Sequence, residues 1–476
     1  MGDNPAPKPQ RPVILVVCHT LSGHLQPLIR IAHGLSSRGW DVAFLGPTAH
    51  RTRIEAAGAE FFALQGIADL NDQAYYANPN HLAPGYKALP WTKRGKIDLR
   101  LQCLETLPTQ WENFKSTLAA LHERERGRRV LIVAEAFFLG ILPLKYGAAL
   151  PPGVPVPRTV CVSITVPAIR NADLPPFAYA APFDQSEAGR ARNRALWDKW
   201  TESAADLTDL LDRQLLAAGA VRGTGETILA GANYRCHEAV YQVGVPGFEY
   251  PRSDWPEGFR FVGLVQGTPR GTVLPDPHFK WWDELKANSA LDAADPKRKR
   301  VLVVAQGTVE VNPHDLIIPT IRAFEGRDED VVVVAILGWK DASLDEFMPD
   351  GGVPGNARVA DYLNYDAVLE HADVWIHNAG FGAVNHGIAH GVPMVVAGEG
   401  MDKTENARRV GWSGIGVDLG TARPSVAQVQ EAVESVLRGG DSSTFKERIE
   451  LLRRQSEGLD PFGIISEGLI GMAGMD

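Results

Sequence analysis

Residues 13–35 read VILVVCHTLSGHLQPLIRIAHGL. Val13 to Cys18 is an unbroken apolar run, as expected of a strand buried on both faces. Leu25, Leu28, Ile29, Ala32 and Leu35 then fall on one face of a 3.6-residue period, so a helix follows. Ser22 and Gly23 sit where a loop hands over to that helix. A strand-loop-helix unit argues for a parallel α/β sheet, and such sheets gather ligands outside the carboxyl ends of their strands. His24 lies in or beside the first helical turn, at that end. Two readings are open: an imidazole aimed at the crevice to exchange a proton, or a His packed locally at the helix start.

The same grammar recurs outward. Strand-like runs at 13–18, 41–46, 60–64, 129–134 and 159–164 alternate with helical patterns near 24–37, 49–57, 104–122 and 138–147. A second series has runs at 301–305, 331–337, 357–362, 373–378, 393–398 and 414–419. Its helical patterns lie near 313–325, 364–370, 382–390, 403–411 and 424–438. The fold class is therefore α/β, with two Rossmann-like domains and mainly parallel sheets. The boundaries read as a tail over 1–12, a first domain over 13–266, a Pro- and Asp-rich linker over 267–299, a second domain over 300–441, and helices over 442–476. Trp281 and Trp282 interrupt the linker and read as local packing. Segments 66–100 and 165–200 break the rhythm, as lids and pocket walls do.

Composition narrows the function. The chain has 476 residues, 45% of them apolar, and a net charge of −9. The one basic block, Lys297–Arg300, reads as a solvated linker end, so nucleic acid is not an expected partner. Cys18, Cys103, Cys161 and Cys236 are widely spaced, without disulfide or zinc patterning. That fits a reducing, cytoplasmic compartment. The start, MGDNPAPKPQRP, reads as a disordered tail and not a signal peptide. The longest apolar stretch, Val130–Leu144, is too short to span a bilayer and contains Glu135 and Pro143. Asp328–Asp330 precede a strand at its amino end and read as a solvated turn, not a metal pair.

Two longer stretches carry a resemblance. Residues 22–46, SGHLQPLIRIAHGLSSRGWDVAFLG, resemble the N-terminal signature of inverting family 1 nucleotide-sugar glycosyltransferases of fungal and bacterial type. Residues 360–419, from ADYLNYDAVLEH through NAGFGAVNHGIAHGVPM to GIGVDL, resemble their donor-binding motif, and VLVVAQGTVEVN resembles the opening of their C-terminal domain. The resemblance implies the GT-B fold: two domains facing across a cleft, acceptor on the first and donor on the second, with C-terminal helices crossing the junction. It implies transfer of a hexose, glucose from UDP-glucose, to a hydroxyl of a small lipophilic phenol, polyketide, macrolide or terpenoid. Neither a metal nor a cofactor is expected besides the nucleotide sugar.

The resemblance also assigns residues. His24 becomes the base, and Glu135 takes the place of the Asp that orients it. Gln306, Gly307 and Thr308 open the donor domain, with Thr308 either bonding the diphosphate or capping a helix. Tyr362, followed by Leu363, occupies the position of the base-stacking Trp. Asn378 stands where the family has a phosphate-side His; His377, one place earlier, points to the other side of its strand. Gly380, Phe381 and Gly382 start the helix whose amino end attracts phosphate. His386 stands at a ribose-binding Glu, and Asp402 with Lys403 replaces a sugar-gripping Asp-Gln pair. Other readings are a nucleotide-sugar epimerase on the same fold, which would lack the apolar insertions, and a non-catalytic nucleotide-sugar binder, which Asn378 and His386 allow. A dinucleotide oxidoreductase is disfavoured, since no G-x-G-x-x-G follows a strand.

Overall fold

A computed structural model describes residues 11–72, 75, 85–125, 128–265, 278–307, 312–349, 352–438 and 443–474. Thr308 and most of the expected tail lie outside the described residues, as does part of each of the segments 66–100 and 267–299. The chain forms two compact units. One comprises Met1–Val243, Arg252–Val265 and Leu459–Asp476, the other Gly244–Pro251 and Gln266–Gly458.

The first unit is built on seven parallel strands: β1 (Val13–Val17), β2 (Val42–Gly46), β3 (Glu60–Ala63), β4 (Val130–Glu135), β5 (Thr159–Ser163), β6 (Ala239–Val243) and β7 (Phe259–Gly263), in the order β3-β2-β1-β4-β5-β6-β7. Every residue of β1 and β4 is buried, which explains why both read as unbroken apolar runs. The strand order reverses direction between β1 and β4, the switch point at which such sheets open a ligand crevice. There the register pairs Val17 with Ala134. Helix α1 (Ser22–Ser36) follows β1 and buries Leu25, Leu28, Ile29, Ala32 and Leu35, the face that its spacing marked. Helix α2 (Leu107–Arg124) covers the same sheet through Trp111, Phe114 and Leu118.

The second unit has six parallel strands: β8 (Arg300–Ala305), β9 (Val331–Ile336), β10 (Ala357–Ala360), β11 (Val374–His377), β12 (Met394–Val396) and β13 (Gly416–Asp418), in the order β10-β9-β8-β11-β12-β13. Its switch point lies between β8 and β11, where Ala305 pairs with His377. The helices that matter for function are α3 (Tyr365–Leu369), α4 (Phe381–His390) and α5 (Lys403–Ser413). The turn Asp328–Asp330 precedes β9, and Arg327 pairs there with Asp330.

The structure corrects several expectations. Strands β6 and β7 were not read from the sequence, because AVYQV and FRFVG mix polar and aromatic residues and follow a long irregular segment. Segment 165–200 is irregular only at first; Glu187–Ser203 is a helix anchored by Trp197 and Trp200. Trp282, by contrast, packs locally as its sequence context suggests: it is buried and sets its ring edge against His371, 5.4 Å between centroids. The first-domain boundary at 266 is interrupted, since Gly244–Pro251 belong to the second unit. Buried Arg409 holds that segment by bonding Glu249 at 2.7 Å while lying over the ring of Tyr250. The C-terminal segment is divided. Helix α6 (Thr444–Glu457) packs on α4 in the second unit, whereas α7 (Pro461–Ala473) packs on α1 and β7 in the first. Gly34 of α1 makes room for the ring of Phe462, with which a Cβ would overlap.

Candidate functional site

Each unit gathers polar groups at its switch point. In the first, parallel register sets Glu135 at the end of β4 beside the loop that leaves β1. His24, in the first turn of α1, reaches it: Nδ1 lies 3.0 Å from Oε1 of Glu135. The same oxygen accepts the backbone N–H of Phe137 at 3.0 Å. The Glu135 side chain is fully buried and that of His24 is one-fifth exposed, so the imidazole is the part a solute can reach. Burial alone would raise the Glu135 carboxyl. The charge and hydrogen bond of His24, with help from His19 and the Phe137 N–H, outweigh it and hold the group below the usual carboxylate range. An ionised carboxylate only accepts, so His24 donates from Nδ1, and in the neutral ring the lone pair is on Nε2.

Two further groups fix this imidazole. Asp72 accepts Ser22 N at 2.7 Å and Ser22 Oγ at 3.0 Å, pinning the first residue of α1 with a negative group at its positive end. His19, buried, donates from Nε2 to the carbonyl of Gln102 at 3.1 Å and accepts Leu21 N at Nδ1 at 3.3 Å. Burial, and then the charge of His24, push its pKa down to about 4, so at neutral pH it is an uncharged strut. The ring of Phe137 stands edge-on to His24, 5.6 Å between centroids. Phe137 also lines an apolar cavity with Leu99, Leu139, Leu142, Ile228 and Leu229. Asp72 carried no sequence signal: it acts across 50 residues from an irregular segment.

In the second unit, β11 ends and Asn378, Ala379 and Gly380 turn the chain into α4, whose N-cap is Gly380 with no side-chain cap. The first N–H groups of this ten-residue helix are thus left for an anion. Space is open beside Gly382. Ala379 holds a left-handed backbone, φ 59°, which costs energy in a residue with a Cβ. It is held by two bonds: its N–H donates to His377 Nδ1 at 3.1 Å and its carbonyl accepts Asn406 Nδ2 at 2.8 Å. Gly398 packs beneath; a Cβ there would lie 2.8 Å from that of Ala379 and 3.0 Å from the carbonyl of Lys403. Asp402 precedes α5, and its Oδ2 accepts Asn406 Nδ2 at 3.0 Å.

The structure gives several of the expected donor residues specific tasks. Asn378 is buried and donates to the carbonyl of Gln306, joining the ends of β8 and β11. Both ends of the Gln306 side chain are used: Oε1 accepts Ile317 N at 3.1 Å and Nε2 donates to the Asn312 carbonyl at 2.9 Å. What Gln306 can still offer a ligand is main chain, continued by Gly307 at φ 75°. Leu363 and Lys403 are buried, and Phe381 is buried near the ring of Phe248. Tyr362 is 63% exposed, an open aromatic face. His377 is a core residue, its Nε2 on the Met394 sulfur at 3.4 Å and its pKa pushed down to about 3 by burial. His386 pairs with Asp366, Nδ1 to Oδ1 2.6 Å, a partner not anticipated from the sequence. The four-residue step from His386 to His390 was the visible hint, since it puts both on one helix face.

Comparison with known proteins points one way. Residues 332–456 match the family described as "Erythromycin biosynthesis protein CIII-like, C-terminal domain". The chain is similar to UDP-glycosyltransferase 2 of Phaeomoniella chlamydospora, 31% identical over 97% of this chain and 96% of that one. It is equally similar to UDP-glucosyltransferase A1 of Starmerella bombicola, 31% identical over 99% and 94% of the two chains. Among solved structures, CalG4, the calicheamicin glycosyltransferase, has the same fold, with a TM-score of 0.62 at 16% identity over 98% of this chain and 99% of that one. Among the described residues no helix is long and apolar enough to cross a membrane.

Proposed function

The chain belongs to the UDP-glycosyltransferases, and from that premise we propose that it moves glucose from UDP-glucose to a hydroxyl of a small lipophilic acceptor, with inversion and without a metal. The observation that carries the reading is the His24–Glu135 pair at the first switch point, whose Nδ1 and Oε1 lie 3.0 Å apart. The acceptor hydroxyl gives its proton to Nε2 as its oxygen bonds the anomeric carbon. The bond from that carbon to the diphosphate oxygen breaks, and its electron pair leaves with UDP. A single displacement of this kind inverts the carbon. Glu135 holds the imidazole in the right tautomer and stabilises the imidazolium that forms, as the buried carboxylate of a hydrolase triad does.

The second unit supports the departing charge. The uncapped amino end of α4 and the main chain at Gly380, Gly382 and Gly307 offer N–H groups to the diphosphate, the task a metal performs in other transferases. Tyr362 offers its exposed face to the uracil, and Asp402 offers its carboxylate to sugar hydroxyls. Glucose is supported by the name of the Starmerella relative. The lipophilic acceptor is supported by the apolar ring of Phe137, which stands edge-on to His24. The test is a panel of nucleotide sugars against phenol, macrolide and sterol acceptors, read by mass with and without EDTA. A hexose mass shift that survives EDTA is expected with UDP-glucose. Loss with EDTA restored by magnesium would overturn the metal-free mechanism. Nucleotide-sugar binding with no transfer to any acceptor would favour a binding protein.

A further inference from the structure

In the first unit, the turn formed by residues 228–231 holds Leu229 in a left-handed backbone, φ 60°. A bulky residue adopts that conformation only at a cost, whereas glycine adopts it freely. Two residues on, the chain does use glycine: Gly231 has φ 110°. At 229 it keeps leucine. The strain is imposed from both sides. Ile228 donates its N–H to Thr208 Oγ1 at 3.2 Å, and its carbonyl accepts Trp200 Nε1 at 2.8 Å. Ala230 donates its N–H to the Thr227 carbonyl at 3.2 Å, and its own carbonyl accepts Arg170 N at 2.9 Å and Arg235 Nη2 at 3.0 Å. Every main-chain polar group of both neighbours is thus bonded. Strain over-determined in this way gathers at ligand-binding positions.

The surroundings of Leu229 lead back to the first switch point. Its side chain is partly buried and lines, with Phe137, Leu99 and Leu142, an apolar cavity of about 20 Å³, room for one water. Phe137 is the residue whose ring stands edge-on to His24, 5.6 Å between centroids. Asn233 ties the two segments, donating from Nδ2 to the carbonyl of Ala136 at 2.8 Å. Ala136 and Phe137 directly follow Glu135, so the turn is clamped to the stretch that carries the carboxylate. We infer that Leu229 is a specificity-determining residue: held in place by the strained turn, it limits how far the Phe137 ring yields beside His24, and so sets the breadth of acceptor admitted there. This rests on the reading of His24 as the group that meets the acceptor hydroxyl. The cavity gives the ring somewhere to go, and Leu229 keeps that room to the size of one water. A shorter side chain at 229 enlarges the cavity by the carbons removed. The ring then turns away from the imidazole, and a broader acceptor fits.

The test uses two saturated alcohols of one chemical class, cyclohexanol and the two-ring decahydro-2-naphthol. Their binding is followed through the imidazole resonances of His24, and their glucosylation from UDP-glucose by mass. The proteins are the parent, Leu229→Ala, Leu229→Gly and Leu229→Met. In Leu229→Ala and Leu229→Gly the ratio of the two Kd values should shift toward the two-ring alcohol by about 10-fold, the low end of what a methylene discriminates in an apolar pocket. Leu229→Met, which restores the volume, should keep the parent's ratio. Because glycine relieves the strain, Leu229→Gly should melt above Leu229→Ala. A ratio unchanged in both shortened variants, with only their melting temperatures lowered, would reduce Leu229 to core packing and overturn the proposal. So would His24 resonances that neither alcohol moves in any of the four proteins. Leu229→Ala melting above Leu229→Gly would remove the strain on which the inference stands. Alcohols that move the His24 resonances in the expected ratio but are not glucosylated would support the role of Leu229 and sink the transfer reading instead.

Discussion

The two switch points share a scaffold and differ in chemistry. In both, a strand pair ends in register, Val17 with Ala134 and Ala305 with His377, and the next residues carry the polar groups. In the first unit those groups ionise: an imidazole is backed by a buried carboxylate. In the second they are amides and helix N–H groups, and the one His at the strand end, His377, is kept neutral by burial. The same geometric rule thus serves proton transfer in one place and anion binding in the other. Proton traffic should therefore be confined to the first unit.

The largest effect expected is from His24→Ala. Turnover on an aliphatic alcohol acceptor should fall by about 10²–10⁴, the usual contribution of a general base. UDP affinity, measured by calorimetry, should stay as in the parent. Phenols test this less well, because their pKa near 10 makes them partly self-activating. Turnover close to native would remove His24 from the mechanism and erase the contrast between the units.

Next comes Glu135→Gln, which keeps the shape and removes the charge. A loss of about 10²-fold in kcat is expected, with KM for the donor unmoved, since the neutral amide neither enforces the tautomer nor stabilises the imidazolium. The variant also sharpens the acid side of stability. Glu135 is depressed in the folded protein, so its contribution is present above the unfolded carboxyl range, about 4.3. It is lost as pH falls through the lower folded value. Melting curves of the variant should show less acid destabilisation than the parent; equal curves would mean that the carboxylate is not held by His24.

How much of this the sequence disclosed follows from range. His24 and Glu135 stand at strand ends that local apolar runs announce, so both were legible. So was the turn at Asn378–Gly382, because small residues between a strand and a helix are a local signal. What could not be read were contacts between distant segments. Asp72 reaches Ser22 across 50 residues, and Trp40 donates to Ser466 Oγ at 2.8 Å across 426. Gln306 reads as a ligand contact in a motif. Only the fold shows its amide spent on Asn312 and Ile317. Strands β6 and β7 lacked the unbroken Val and Ile runs that marked the others.

A smaller effect, on the other side of the comparison, is expected from Gly398→Ala. The added Cβ meets Ala379 and the carbonyls of Asn378 and Lys403. Overpacking of this kind costs about 1–3 kcal/mol. UDP affinity should weaken as the Asn378–Gly380 turn is pushed away from Lys403, while the imidazole resonance of His24 stays unshifted. Unchanged UDP binding in a folded variant would show that this turn does not hold the donor.

The central claim, proton chemistry in one unit and anion binding in the other, is tested most directly by one paired pH series. In it kcat/KM for an aliphatic acceptor and the Kd of UDP are followed over the same range, with the ionisation of UDP itself subtracted. The account predicts that kcat/KM falls toward acid as His24 takes a proton, and that this fall is absent from the residual activity of His24→Ala. It predicts a corrected Kd that stays flat, because His377 is neutral throughout and Asn378 does not titrate. A protein-derived step in UDP affinity that persists in His24→Ala, or an acid limb of kcat/KM unchanged in that variant, would contradict it.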